Sequence, residues 1–266
     1  MVVLLTVRPS DRPTVAQSRP IADNSFLIEE AYNQEPGVVQ HISAWQRSLR
    51  TAAWAFTFTQ EWPLGGQLHQ LSYTLPVQRT ESPSATGFSD ALLNYRYQLR
   101  RADARVAIAP RLSMILPTGS TARGLGSGHV GVQLNVPASV TLTPALVSHW
   151  NAGVTALPQL TTYNLGASMI WLARPTFNVM LEVTWLGQPR GGGAHAVVVN
   201  PGVRWAYNFP SGLQIVPGVA FPDGKSVFLY LSFEHRFRSE NKAKLHVSEG
   251  PYLQIFDPLD SPRTPG

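Results

Sequence analysis

From about residue 37 to 237 the chain alternates apolar and polar side chains with a period of two, the mark of strands that show different surroundings on their two faces. In 53–62, Trp54, Phe56, Phe58 and Trp62 fall on one parity, and Ala53, Ala55, Thr57, Thr59 and Glu61 on the other. In 90–100, Ala91, Leu93, Tyr95, Tyr97 and Leu99 oppose Asp90, Asn94, Arg96, Gln98 and Arg100. The same pattern runs through 130–142, 177–185 and 227–237. About twelve such segments are predicted, near 37–47, 52–62, 68–77, 88–101, 104–116, 129–142, 145–156, 161–173, 176–187, 194–208, 212–221 and 226–237. They exceed the roughly 5–6 residues of a typical globular strand and suit the roughly 9–11 of a tilted strand crossing a bilayer. Every other connection is tight, at 63–67, 102–103, 143–144, 174–175 and 210–212, whereas 78–87, 117–128 and 187–193 are longer. Short periplasmic turns and longer outer loops give a membrane barrel this asymmetry, although the outer gaps 48–51 and 222–225 are also short.

Composition agrees. Of 266 residues, 44% are hydrophobic and only 14% charged, against about 25% charged in an ordinary soluble domain. No apolar run approaches the roughly 20 residues of a transmembrane helix. Trp54, Trp62, Tyr73, Tyr95, Trp171, Trp185, Trp205 and Tyr207 lie near strand ends on or close to the apolar parity, where interfacial girdles sit. The predicted fold is all-β: a closed antiparallel transmembrane barrel of about twelve strands, in a bacterial outer membrane, with lipid and lipopolysaccharide as partners. A soluble lipocalin-like barrel is the structural rival. Cysteine is absent, which removes disulfides, Cys–metal sites and Cys nucleophiles. The net charge of +5 is scattered rather than blocked, so no nucleic-acid partner is implied. Oligomeric state is left open.

Four regions are expected. Residues 1–23 read as a truncated or atypical leader, since Met1 to Val7 is apolar but lacks a basic flank. Residues 24–36 are a periplasmic N-terminal segment, 37–237 the barrel, and 238–266 a Pro- and charge-rich periplasmic tail following the terminal aromatic Phe237.

Residues 26–42 (FLIEEAYNQEPGVVQHI), 58–63 (FTQEWP) and 69–73 (HQLSY), together with Gly87-Phe-Ser-Asp90, Asn94-Tyr-Arg-Tyr97 and Pro117-Thr-Gly119, carry a family likeness over roughly 24–237. The chain resembles the outer-membrane β-barrel transporter-like proteins of the meta-pathway phenol-degradation family. That resemblance implies an outer-membrane barrel and, loosely, passage of hydrophobic or aromatic compounds. It brings no catalytic residues.

If the apolar parity faces lipid, the lumen receives Glu61, Asp90, Arg96, Arg100, Arg105, Arg111, Glu182, Arg204, Glu234 and Arg236. An Arg at the bilayer midplane costs about 2–4 kcal/mol on the lipid face, so the inward placement is itself an argument for the barrel. These charges read either as a solute-selecting constriction or as Arg–carboxylate pairs filling a narrow barrel. Glu29, Glu30 and Glu35 make an acidic patch near the barrel mouth, read as part of a solvated periplasmic segment, with an inward-folded lid or plug as the alternative. His41 and Ser43 share a strand face and resemble the His-x-Ser of twelve-strand outer-membrane phospholipases, but no Asn partner is evident. His41 is expected in the lumen or at the interface. The seven His are dispersed, and no metal site or cofactor is expected. The Gly-rich stretch 117–128 lacks a Gly-Lys-Ser/Thr ending and reads as an outer loop. The predicted function is passive passage or binding of small, hydrophobic or aromatic solutes, without enzymatic activity. A lipid hydrolase using His41 and Ser43, and a filled barrel with a structural role, are the alternatives.

Overall fold

A computed structural model describes residues 20–158, 160–188 and 195–236. In chain order its strands are β1 (Val38–Ser48), β2 (Trp54–Pro63), β3 (His69–Glu81), β4 (Ser84–Phe88), β5 (Ala91–Tyr97), β6 (Val106–Ile108), β7 (Arg111–Leu116) and β8 (Gly131–Thr143). They continue with β9 (Leu146–Leu157), β10 (Leu160–Arg174), β11 (Phe177–Gly187), β12 (His195–Trp205), β13 (Tyr207–Asn208), β14 (Gln214–Ala220) and β15 (Ser226–Arg236). All pairings are antiparallel and run round the wall in chain order, and β1 pairs with β15 from Val38↔Arg236 to Ser48↔Ser226, which closes the sheet. Three wall strands are each split in two: β4 and β5 both pair with β3, β6 and β7 both with β8, and β12 and β13 both with β14. The wall is therefore a closed barrel of 12 strands. The β6–β7 break falls at Ala109-Pro110, where proline has no N–H to extend the ladder.

Burial is inverted relative to a soluble protein. On β11, Leu181 is 49% exposed on the outside, while its neighbour Glu182 is fully buried inside. Leu112, Met114, Val132, Leu134, Val136, Trp150, Leu229 and Leu231 are likewise exposed. Gln40, Gln70, Asn94, Asn135, Ser139, Asn178 and Asn200 point inward and are buried. A wall with this polarity loses nothing by facing hydrocarbon, because its backbone bonds are made within the sheet and its edges are closed.

Two expectations about connections change. The stretch 78–87 is not a loose loop: β3 runs on to Glu81 and pairs with β4 from Val77↔Phe88 to Glu81↔Ser84. This polar hairpin extension, with Thr80, Ser82 and Ser84, projects beyond the apolar belt, where no lipid face imposes alternation. The loop 117–128 contains a single 3-10 turn, Thr121–Arg123. Most of the predicted loop 187–193, the leader through residue 19, Phe237 and the tail 238–266 lie outside the described residues.

The larger departure concerns the segment before β1. Instead of lying solvated on the periplasmic side, residues 21–34 fold into the barrel. Ile21 N–H donates to Pro175 O at the turn between β10 and β11. Asn33 Nδ2 donates to Gln67 O and Leu68 O at the turn between β2 and β3. Both turns belong to the rim at which β1 begins, so the segment enters and leaves by the same end. The physical reason is supply and demand: the interior offers many polar side chains, and an irregular backbone offers N–H and C=O groups that must be paired when buried.

Candidate functional site: the lumen and the segment that fills it

The inner wall holds the segment by its main chain. Asn178 Nδ2 donates to Ala22 O at 3.0 Å, and His149 Nε2 lies 2.9 Å from Asp23 O. Because a carbonyl only accepts, His149 carries its proton on Nε2, and Nδ1 accepts from the Ser139 hydroxyl at 2.7 Å. Ser139 Oγ in turn accepts Ala31 N–H at 2.8 Å. Asn151 makes a two-way contact with Glu29, accepting its N–H at 2.8 Å and donating to its C=O at 2.9 Å. Gln98 does the same across Asn33 N–H and Ala31 O. Gln70 accepts Gln34 N–H at 2.7 Å, and Arg204 donates to Asn24 O. Ser25 Oγ donates to Ser168 Oγ at 2.9 Å.

The tip of the segment is held by one carboxylate. Glu182 Oε1 accepts the successive N–H groups of Phe26, Leu27 and Ile28 at 3.1, 2.8 and 3.1 Å, and its Oε2 accepts Asn200 Nδ2 at 2.7 Å. Three consecutive N–H groups converging on an anion form a nest. Side-chain packing supports it: the Phe26 ring lies 5.4 Å from Phe228 and 5.6 Å from Tyr230. Gly202 and Gly218 leave room for that ring, since a Cβ at either would stand 2.5 or 2.7 Å from it.

Glu29 carries the segment's charge to the opposite wall. Arg111 Nε lies 2.9 Å from both Glu29 oxygens, its Nη2 also reaches Oε1, and Arg96 Nη2 is 3.4 Å from Oε2. Asn94 and Gln133 accept the remaining Arg111 donors at 2.9 Å. Burial works against ionised Glu29, but Arg111 and Arg96 outweigh it and hold its carboxyl below the ordinary value. Its neighbour Glu30 has no such clamp. Burial, with Glu61 adding to it against the pull of Arg96, pushes the Glu30 carboxyl up to about 7.

The ten charges predicted for the lumen divide by position. Glu61, Arg96, Glu182, Arg204 and Glu234 are buried inside the wall, and Arg111 is nearly so. Arg100, Arg105 and Arg236 are exposed at the rim, and Arg236 faces Glu35 at 3.8 Å. Beyond the last ladder bonds, strand parity no longer separates inside from outside. Asp90 sits at the opposite end and ties the loop 117–128, accepting Gly119 N–H, Ser127 N–H and the Ser127 hydroxyl. Slight burial raises its carboxyl, and those bonds more than reverse the effect.

The carboxylate that Arg96 and Arg111 share comes from the segment rather than from the wall, and wall amides and hydroxyls take up other Arg111 donors. What sequence reasoning overlooked were the uncharged inward groups: Gln70, Gln98, Asn151, Asn178, Ser139 and His149. Their amide and hydroxyl chemistry on one parity was the available signal. His41 is on the outer face, not in the lumen. It is register partner to Phe233 and Gln60, stacks on Phe233 at 4.4 Å, and lies 3.1 Å from His235. Ser43 shares that outward face, opposite Leu231 and Phe58.

Cavities lie between the segment and the outer end. One of about 250 Å³ has an apolar flank (Ile42, Ala44, Leu92, Tyr230) facing a polar one (Thr59, Asn94, Arg96, Arg111). Another, about 400 Å³, is lined by Gln46, Gln133, Asn135, Asn164 and Thr184. Both are floored by Leu27, Ile28 and Glu29. On the periplasmic side a third, about 470 Å³, is acidic, with Asp23, Glu30, Glu35, Asp103 and Glu234.

The fold is that of an outer-membrane channel barrel. A COG4313 outer membrane channel from Pseudomonas putida F1 superposes with a TM-score of 0.54 at 14% identity, over 78% of this chain and 98% of that one. The KdgM porin gives 0.51 at 9% identity over 76% and 99%, and the NanC porin 0.51 at 8% over 76% and 100%. No family model and no curated protein matches the chain. With its apolar exterior, polar interior and even strand number, the barrel belongs in a bacterial outer membrane.

Proposed function

We propose that this protein is a passive channel for small solutes, closed by its own segment 21–34 and opened when that segment withdraws toward the periplasm. The observation that carries this reading is the occupant of the lumen: a short stretch of chain, held through side chains of the wall, that enters and leaves by one rim. It can leave without breaking a single strand pair. No energy source or cofactor is invoked. The expectation of a hydrophobic or aromatic solute, and membership of the phenol-degradation grouping, belong to this proposal and rest on the sequence motifs. The apolar flank of the smaller cavity supports a solute with a hydrophobic body, and the polar lining around it supports one that also carries a polar group.

A filled barrel with a structural role is the second reading, favoured by the occupied lumen. For the hydrolase alternative, His41 and Ser43 share the outward face, where His41 lies 3.1 Å from His235. Lipopolysaccharide as a partner follows from the membrane assignment alone.

The test exploits the absence of native cysteine. Ser25 and Ser168 are close enough for a Ser25→Cys/Ser168→Cys pair to bridge without moving the backbone far. In planar bilayers the reduced protein is expected to show conductance steps that vanish on oxidation and return on reduction. Silence in both states, with no solute flux in liposome swelling, would leave the filled barrel. Identical conductance in both states would remove the segment as the gate.

A further inference from the structure

We infer that Arg96 and Arg111 form a carboxylate-binding site in the pore, which Glu29 occupies while the segment is docked and a small carboxylate solute occupies when it is withdrawn. The inference deepens the channel reading by naming a solute class, and it rests on that reading only for the withdrawal step.

The register carries the argument first. Arg96 and Arg111 are direct cross-strand partners in the β5–β7 ladder, and both point inward with 5% and 13% side-chain exposure. Like charges directly opposite one another destabilise a sheet, the more so when desolvated, so this pair requires an anion between them. In the docked state that anion is Glu29, gripped at both oxygens by Arg111 and at one by Arg96. Contact at both oxygens matches the forked geometry that guanidinium offers a planar carboxylate. Arg96 Nε is buried and has no hydrogen-bond partner, so the site retains donor capacity that Glu29 does not use.

Withdrawal removes two of the three acids that act on Arg96. Glu29 and Glu30 leave together because both belong to the segment, and of the carboxylates acting on Arg96 only Glu61 stays on the wall. What remains is a pair of arginines, with Glu61 beside Arg96 and a collar of Asn94, Ser113 and Gln133 around Arg111, opening on a cavity whose other flank is apolar. The solute that satisfies both flanks is a small carboxylate with an apolar body. Glu29 is then a tethered competitor for the solute's own site. The tether gives it an effective concentration of about millimolar or more, so solute binding to the parent protein is weak and rises once the competitor is removed.

Benzoate is a suitable probe, with benzyl alcohol as its uncharged analogue. Calorimetric titration of the full chain in detergent is expected to show benzoate binding Glu29→Ala about tenfold or more tightly than the parent. Benzyl alcohol should bind neither, and Glu29→Ala/Arg111→Gln should return benzoate to the parent value. Equal benzoate affinity in all three proteins, or equal affinity for the alcohol, would overturn the inference. Should Glu29→Ala not fold, thiol labelling of Ser25→Cys with Glu29 intact decides: acceleration by benzoate but not by benzyl alcohol supports the site, and identical rates refute it. Sulfate in place of benzoate separates a carboxylate site from a general anion site; equal binding would remove the carboxylate claim. A protein that conducts but does not bind benzoate loses this inference and keeps the channel. One that binds without conducting keeps the site and loses the channel.

Discussion

Replacing Glu182 should loosen the lumenal segment by an amount that can be worked from its bonds. One carboxylate oxygen accepts three main-chain N–H groups from Phe26, Leu27 and Ile28. Bonds to a charged partner contribute about 1.5–3 kcal/mol each, but three donors sharing one acceptor are not independent. Substitution by alanine also leaves those N–H groups to find water from the adjoining cavities, which recovers part of the loss. A net cost of about 3 kcal/mol follows, which multiplies the released population by about a hundredfold at 1.4 kcal/mol per decade. Glutamine at 182 keeps an acceptor oxygen and loses only the charge, so its cost is about 1 kcal/mol, or fivefold. The reporter is the thiol of Ser25→Cys, a site 6% exposed in the docked state. Its reaction with a bulky maleimide tracks the open population when closing is faster than labelling. The expected order of rates is Glu182→Ala, then Glu182→Gln, then Ser25→Cys alone. Identical rates across the series, with barrel stability unchanged, would refute the idea that this nest holds the segment.

Other perturbations test separate parts of the reasoning. Gly218→Ala, whose Cβ would meet the Phe26 ring and the Arg204 side chain, should push that ring from its place against Phe228 and Tyr230, raising Ser25→Cys labelling while leaving the heat-resistant mobility of the barrel on gels unchanged. Glu30, whose carboxyl is raised to about 7 when docked against 4.5 when free, favours the docked state fully below about 4.5. That contribution is lost as pH climbs through 7, so open probability should rise between those values, and less steeply in Glu30→Gln. Leu181→Arg, on the lipid face of β11, should destabilise insertion by about 2–4 kcal/mol in a urea titration of folding into vesicles.

The wall was readable from the chain because a membrane barrel imposes one rule, lipid outside and polar inside, on every strand. That rule assigned Leu181 and Glu182 to opposite faces, and Arg96 and Arg111 to the same one, from residues a few positions apart. It fails where the lipid stops: Arg100, Arg105 and Arg236 at one rim and Asp90 at the other share the parity but not the environment. The hairpin over 78–87 was hidden for the same reason. The segment was hidden for a different one. Its backbone has no period, and its partners stand far off in sequence, with Glu182 more than 150 positions from the N–H groups it binds. Nothing local to residues 21–34 announces that their hydrogen bonds are made by strands and turns all round the barrel. The acidic pair Glu29 and Glu30 was visible, but its meaning depended on two arginines whose mutual register only the folded sheet reveals.

Because the lumenal segment begins and ends its excursion at one rim, it resembles a finger in a glove rather than a thread through a needle. Assembly of the wall therefore has no topological need to wait for it: β1 can zip to β15 around a water-filled interior, and the segment can enter later. The two events are separable in time and in free energy. A chain whose segment fails to dock would still complete its wall, and on the channel reading a cell carrying it would experience not a missing protein but a leak.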